Sequence, residues 1–153
     1  MKGFTLIEVV VSIAIGLLAT SFILANYNSY NDTQSLKQAG LTLKNNLRFA
    51  QTKSSSGVKP STPCTQLNGY SVTFLTSSYA IQASCNPEGV TGTILTVTLP
   101  PNVSFITLPN PSTFSFNVLS RGTSLDSPLT IVMTGYGRNY TLIVSPGGDI
   151  SEQ

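Results

Sequence analysis

The sequence contains no histidine and no tryptophan, only two cysteines, and few charged residues, which make up 9% of its 153 positions. Without histidine the chain lacks the usual general base near neutral pH and the commonest metal ligand, which excludes Ser-His-Asp and Cys-His mechanisms. Two cysteines and six scattered carboxylates are a poor donor set for zinc. We therefore expect no catalytic residues, no metal site and no cofactor, in a protein that is not an enzyme.

The charge balance is nearly neutral, with a formal net charge of +2 at pH 7. Such a small excess gives no strong preference for nucleic acid or for an anionic membrane surface, so we expect no nucleic-acid partner. Serine, threonine and asparagine take the place of the missing charges, which suits an exported, β-rich domain. The length fits one modest domain with an appended segment.

Residues 4–25 form the longest apolar run, FTLIEVVVSIAIGLLATSFILA, interrupted by one carboxylate at Glu8. A helix needs about 20 such residues to cross a bilayer core. A carboxylate in that setting costs about 2.5–3.5 kcal/mol on insertion scales. Three ordinary explanations compete: a secretory signal peptide, a plain signal anchor and a buried core helix. The run is too long for a secretory signal peptide, and a plain signal anchor leaves Glu8 unexplained. A buried core helix would need more surrounding chain than so short a remainder supplies.

The run follows Lys2 and Gly3 without a gap, giving K-G-F-T-L-I-E at residues 2–8. This motif resembles the class III signal of type IV pilins and type II secretion pseudopilins. The resemblance implies that a prepilin peptidase cuts between Gly3 and Phe4 and that Phe4 becomes an N-methylated terminus. It also implies partners: other pilin or pseudopilin subunits in a filament, the peptidase, and an assembly platform in the inner membrane.

The resemblance gives Glu8 a physical role in subunit assembly. Cleavage would leave an ammonium group on Phe4, which the Glu8 carboxylate of a neighbouring subunit can meet in a filament. Two charges that are each costly among apolar helices compensate one another when paired. A subunit in the wrong register would leave both charges unpaired, so we expect the pair to select the axial offset.

Positive charge lies before the apolar run, at Lys2, and is missing from residues 26–31 after it. The positive-inside bias therefore predicts a single-pass protein with its N-terminus in the cytoplasm and the rest outside.

We expect four segments: a leader at 1–3, a transmembrane and filament-core half of the first helix at 4–25, an amphipathic half with a link at 26–58, and an extracytoplasmic β-rich head at 59–153.

No proline occurs between Met1 and Lys59, so a helix can run through most of this region. An apolar stripe continues at spacings of three and four, which predicts an amphipathic second half; its members are Leu36, Gly40, Leu43, Leu47 and Ala50. The pattern allows one helix over about 4–54 or two helices with a break near 28–33. Lys37, Lys44 and Arg48 fall on related turns and favour a solvated face over a binding surface.

The pattern changes to alternation from Gly69 onward, which predicts a hairpin around the Thr76-Ser77-Ser78 turn. Five further strands are expected between proline and glycine turns: Thr93–Leu99, Val103–Leu108, Thr113–Leu119, Leu129–Met133 and Tyr140–Val144. The sequence thus predicts the α+β pilin fold, a long N-terminal helix packed on an antiparallel sheet. Tyr136, Arg138 and Tyr140 near a glycine-rich turn suit either a binding surface or, more commonly, packing on the sheet edge.

Cys64 and Cys85 are the only cysteines, and an extracytoplasmic head would place them in an oxidising compartment. We expect a disulfide that ties the segment after the helix to the end of the first hairpin. The alternative is two unpaired core residues.

A looser resemblance indicates a subgroup of the pilin and pseudopilin family. The stretch Leu47–Gln51 followed by Lys53, and the closing LIVSPGG at 142–148, look like the H-type minor pseudopilins and FimT-like minor pilins. Some FimT-like proteins bind DNA through a basic tail, whereas residues 149–153 are short and acidic. A structural minor subunit is therefore expected, with an adhesin or a DNA-uptake subunit as the alternative.

Overall fold

The computed structural model describes residues 5–61, 63–120 and 122–153, and within them all side chains except those of residues 19, 21–29 and 91. The first element is one helix, α1, over Leu6–Ser55. This settles the choice between one helix and two, because no break occurs near 28–33. At 1.5 Å per residue, fifty residues extend about 75 Å.

Helix α1 ends where the sequence predicts a stop. Gly57 has a positive φ of 63°, the left-handed conformation that glycine adopts most easily. Its N–H donates to the Ser54 carbonyl and the Val58 N–H donates to the Lys53 carbonyl, which together form a Schellman motif. The chain is thereby turned away from the helix axis and towards the head.

The head contains two antiparallel sheets where one was expected. The first has the order β3-β2-β1-β5, formed by β1 (Gln66–Leu75), β2 (Ser78–Asn86), β3 (Gly89–Thr98) and β5 (Thr113–Asn117). The second has the order β4-β6-β7-β8, formed by β4 (Val103–Phe105), β6 (Leu129–Gly135), β7 (Arg138–Val144) and β8 (Ile150–Glu152). The predicted α+β class, a long N-terminal helix on antiparallel sheet, is confirmed.

Each of the seven predicted strands has a counterpart, and the differences have local causes. Strand β4 stops at Phe105, since residues 106–108 are exposed and approach the Pro109 and Pro111 turn. Strand β3 begins four residues earlier than expected, at Gly89, because a bulge at Gly92 carries the pairing past the glycine. Strand β8 was missed altogether because it has only three residues, two of them exposed and polar.

The core lies between α1 and the two sheets. The predicted stripe of α1 is buried throughout, and it packs against inward-facing residues of β1, β5, β6 and β7. Phe74 of the first sheet meets Phe105 of the second with ring centroids 5.3 Å apart and the rings edge to face. This aromatic contact, favourable beyond the area it buries, joins the two sheets.

A disulfide joins Cys64 to Cys85, as the sequence predicts, with their Cα atoms 5.4 Å apart. It ties the segment after α1 to the end of β2. The bridge closes a loop with a sequence separation of 21 residues, which in the chain-entropy account contributes about 3 kcal/mol to the free energy of unfolding.

Candidate assembly site

The candidate site is the first part of α1, and its N-terminus is fixed by Thr5. Thr5 has extended backbone angles, and its Oγ1 accepts a hydrogen bond from the Glu8 N–H at 3.4 Å. Threonine at the cap with glutamate three residues later is the spacing of a capping box. The carboxylate of Glu8 therefore also lies at the positive end of the helix macrodipole, which favours its negative charge. Sequence reasoning overlooked this T-x-x-E signal.

The first half of α1 presents apolar side chains on every side. Residues 5–18 and 20 are all exposed, with Leu6 83% and Ile7 71% exposed. Monomeric soluble proteins rarely expose contiguous apolar patches of more than a few hundred Å². A helix that is apolar all round needs cover on all sides, and the head covers none of these described side chains.

Two hydroxyl groups among the described side chains of this half bond to the helix itself. The Ser12 hydroxyl donates to the Glu8 carbonyl at 2.7 Å, and the Thr20 hydroxyl donates to the Gly16 carbonyl at 2.8 Å. Such bonds to the carbonyl four residues earlier allow serine and threonine in apolar surroundings. Glu8 remains the one side chain here whose charge needs a partner from elsewhere.

Glu8 lies in a shallow surface depression of about 400 Å³ formed with Val9, Ser12 and Ile13. The first basic residue after it is Lys37, 29 positions further along the same helix and thus about 43 Å away. Gly3 and Phe4, the predicted cleavage and methylation positions, lie outside the described residues. The pairing of Glu8 with Phe4 of another subunit therefore stays a prediction.

Within the part of the chain that the structure describes, no helix combines the length and the mean hydropathy of a membrane span.

The basic residues of the second half are not a uniform solvated face. Lys37 and Arg48 are exposed as expected, but Lys44 forms an ion pair with Glu152 of β8. The hydrogen bond from the Lys44 ammonium holds the pKa of Glu152 below its usual value. The acidic C-terminal residues, predicted as a short tail, thus form part of the second sheet and contact α1.

The fold separates Tyr136 from Arg138 and Tyr140, which together line a depression of about 240 Å³ beside Thr33, Leu36 and Lys37 of α1. The Tyr136 hydroxyl donates to the Pro101 carbonyl at 3.1 Å, and Arg138 is exposed at the start of β7. Tyr140 packs against Gly40 of α1 rather than on a sheet edge. Burial, together with the negative charge of Glu152, raises the pKa of Tyr140 to about 12, so the tyrosine is neutral at physiological pH.

Gly40 is required where Tyr140 crosses the helix. A Cβ built at Gly40 would lie 2.3 Å from a ring carbon of Tyr140, whereas one at Gly16 would meet nothing within 4 Å. We expect Gly40→Ala to lower the free energy of unfolding by about 1–3 kcal/mol through overpacking, although alanine is the better helix former. Chemical denaturation of the full chain in detergent measures this.

The control for Gly40→Ala is Gly16→Ala, which gains the same helix propensity without a clash and should not lower stability. Adding Tyr140→Ser to Gly40→Ala should relieve the clash, so the two substitutions should be less damaging together than their sum. Equal stability of Gly40→Ala and Gly16→Ala would contradict the packing argument.

Comparison with known proteins supports the interpretation of the N-terminus. Residues 1–24 match the family model of the prokaryotic N-terminal methylation motif. No curated protein sequence matches the chain, and neither does any solved structure. The motif supports a type IV pilin-like subunit, and it points to a structural protein rather than to an enzyme.

Proposed function

We propose that this chain is a structural minor subunit of a type IV pilus or a type II secretion pseudopilus. The observation that carries the proposal is the difference in burial between the two halves of α1. The described side chains of its first half, those of residues 6–18 and 20, are exposed and mostly apolar, with Glu8 as the one charged residue among them, while its second half buries one stripe against the head. One continuous helix thus joins a self-contained head to a surface that needs other helices or lipid around it.

The proposed sequence of events follows from the motif and the charges. The precursor sits in the cytoplasmic membrane with residues 1–3 inside, residues 4–25 as the anchor and the head outside. Prepilin peptidase cuts between Gly3 and Phe4, and Phe4 is methylated. The assembly platform then moves the subunit from lipid into a filament, where Glu8 pairs with the Phe4 ammonium of a neighbour.

Residue patterns at the end of α1 and in the closing strand support the H-type pseudopilin or FimT-like group within the family. The alternative, an adhesin or a DNA-uptake subunit, would rest on basic residues of the helix, of which Lys37 and Arg48 are exposed and Lys44 is paired with Glu152. Two separate exposed charges do not form a basic patch, so we favour the structural role.

The intact mass of protein purified from cells that assemble such filaments tests this proposal. We expect a chain that lacks Met1, Lys2 and Gly3 and carries one additional methyl group, with its two cysteines oxidised. Protein from a strain without prepilin peptidase is the control, and it should retain all three residues. A mature, assembled chain that still begins at Met1 would overturn the proposal.

A further inference from the structure

Two basic side chains meet at the base of the head, meaning the end of the head nearest to the first half of α1. Lys37 of α1 and Arg138 of β7 are both exposed, and they line one depression of about 240 Å³. Neither forms an ion pair with another described residue. The small net charge of the chain thus includes a local excess of positive charge, which suits an anionic group.

The direction of β7 places this depression at the base. The start of β7 lies beside residues 33–37 of α1. Beyond the end of the strand, the Gly148 carbonyl accepts a hydrogen bond at 2.9 Å from the side chain of Gln51, which lies further along the helix. Strand and helix therefore run in the same direction, and the loop before β7, at Tyr136 and Gly137, projects towards the apolar half of α1.

The base lies close to the lipid headgroups when residues 4–25 span a bilayer, an arrangement that rests on the proposed function. Headgroups add about 5–7 Å to each side of a hydrocarbon core of about 30 Å. Lys37 lies twelve residues beyond position 25, or about 18 Å. Because helical side chains lean towards the N-terminus, its ammonium comes within the screening length of about 8 Å from the headgroups.

Two exposed tyrosines accompany the basic residues. Tyr30 of α1 and Tyr136 of the loop before β7 are 62% and 37% exposed, and both lie on the side of the depression that faces the anchor. Tyrosine is enriched at membrane–water interfaces because its ring is apolar and its hydroxyl is polar. An anchored helix also keeps this surface beside lipid at all times, which favours lipid over a soluble anion.

We propose that Lys37 and Arg138 bind the phosphate groups of anionic phospholipids at the outer surface of the cytoplasmic membrane. The Arg138 guanidinium can donate two parallel hydrogen bonds to one phosphate, and the Lys37 ammonium adds a second positive charge beside it. Tyr30 and Tyr136 lie at the level of the headgroups and complete the contact. The head is thereby held against the bilayer for as long as the subunit remains in the membrane.

Acidic groups oppose this contact only in part. No carboxylate lines the depression, and Glu152 is already paired with Lys44. Asp32 precedes Lys37 by five residues, so its side chain leaves the helix about 140° around the axis. It lies about 7.5 Å nearer to the bilayer and weakens the attraction, but one negative charge does not cancel two positive ones.

The preference of the full chain for an anionic headgroup tests the proposal. The chain is reconstituted in phosphatidylcholine vesicles with a trace of spin-labelled phosphatidylglycerol or spin-labelled phosphatidylcholine. The fraction of each probe that the protein immobilises gives their relative association constant. Each basic residue near an anionic surface favours it about fivefold. Averaged over all lipids around the helix, we expect the double variant Lys37→Gln, Arg138→Gln to lower the preference for phosphatidylglycerol at least about twofold.

The matched control is the double variant Arg48→Gln, Lys53→Gln, which changes the net charge equally. These residues lie about 17–24 Å further along α1 than Lys37, so the control should keep the wild-type preference. Asp32→Asn should raise the preference. For the wild-type chain, an increase in NaCl from about 0.05 M to about 0.5 M should lower it at least about twofold, which requires no substitution.

The outcomes separate the lipid contact from the anchor. Equal losses in the two double variants would mean that only net charge matters, and the proposal would be wrong. A wild-type chain that floats with the vesicles but shows no preference would refute the lipid contact and leave the proposed function intact. A chain that does not float would refute the anchor and both proposals. Unchanged lipid preference in the Lys37→Gln, Arg138→Gln chain, with loss of binding to a short DNA duplex, would assign the two residues to nucleic acid instead.

Discussion

Replacing Glu8 by glutamine should leave the chain processed and in the membrane but lower its incorporation into filaments by on the order of a hundredfold. The substitution keeps the shape of the side chain and removes its charge. The Phe4 ammonium of the neighbouring subunit would then lie unpaired among apolar helices, at a cost of about 2.5–3.5 kcal/mol. Each 1.4 kcal/mol corresponds to a tenfold change in an equilibrium constant. Sheared filament fractions compared with membrane fractions measure the effect.

The matched control for Glu8→Gln is Ser12→Ala, one helical turn further on the same face. Among the described residues the Ser12 hydroxyl bonds to the Glu8 carbonyl of its own helix alone, so its loss should leave incorporation near the wild-type level. Intact mass of both variants separates assembly from processing. Wild-type incorporation of a fully processed Glu8→Gln chain would show that no charge pair selects the register.

Leu47→Ala should lower the free energy of unfolding of the head by about 2–5 kcal/mol, which is much of the stability of a small domain. Leu47 is fully buried on the stripe of α1, and its removal leaves a cavity between the helix and the sheets. Denaturant unfolding of the full chain in detergent, followed by a signal from the head, measures the loss.

Leu41→Ala is the control for Leu47→Ala, since it makes the same chemical change on the same helix at a side chain that is 37% exposed. We expect it to cost under about 1 kcal/mol, because water already contacts the leucine. Similar losses for the two variants would contradict the assignment of the buried face of α1.

The position of Tyr140 shows a contact that periodicity does not reveal. The spacing of Leu36, Gly40, Leu43 and Leu47 correctly predicts which face of α1 is buried. It does not explain why one position on that face is glycine. Only the crossing of β7 over the helix shows that the Tyr140 ring occupies the space a Cβ would need.

Local sequence patterns also failed to predict the second sheet and the strand formed by the C-terminal residues. Alternation identifies strands but not their partners, because pairing joins residues far apart in sequence. Thus β8 was interpreted as a tail, although Glu152 pairs with Lys44 more than one hundred residues away. A charged residue in a short segment is predicted to face solvent, unless an oppositely charged residue far away in the sequence is known to lie beside it.

The sequence alone determined the match to the N-terminal methylation motif and the class of fold, because both depend on local order. Residues 2–8 carry the motif, and the periods of 3.6 and 2 distinguish helix from strand. The tertiary structure decided that α1 is unbroken, that the head has two sheets, that Lys37 and Arg138 line one depression and that Lys44 is paired. These outcomes depend on contacts between distant segments, whose free energies no window of neighbouring residues contains.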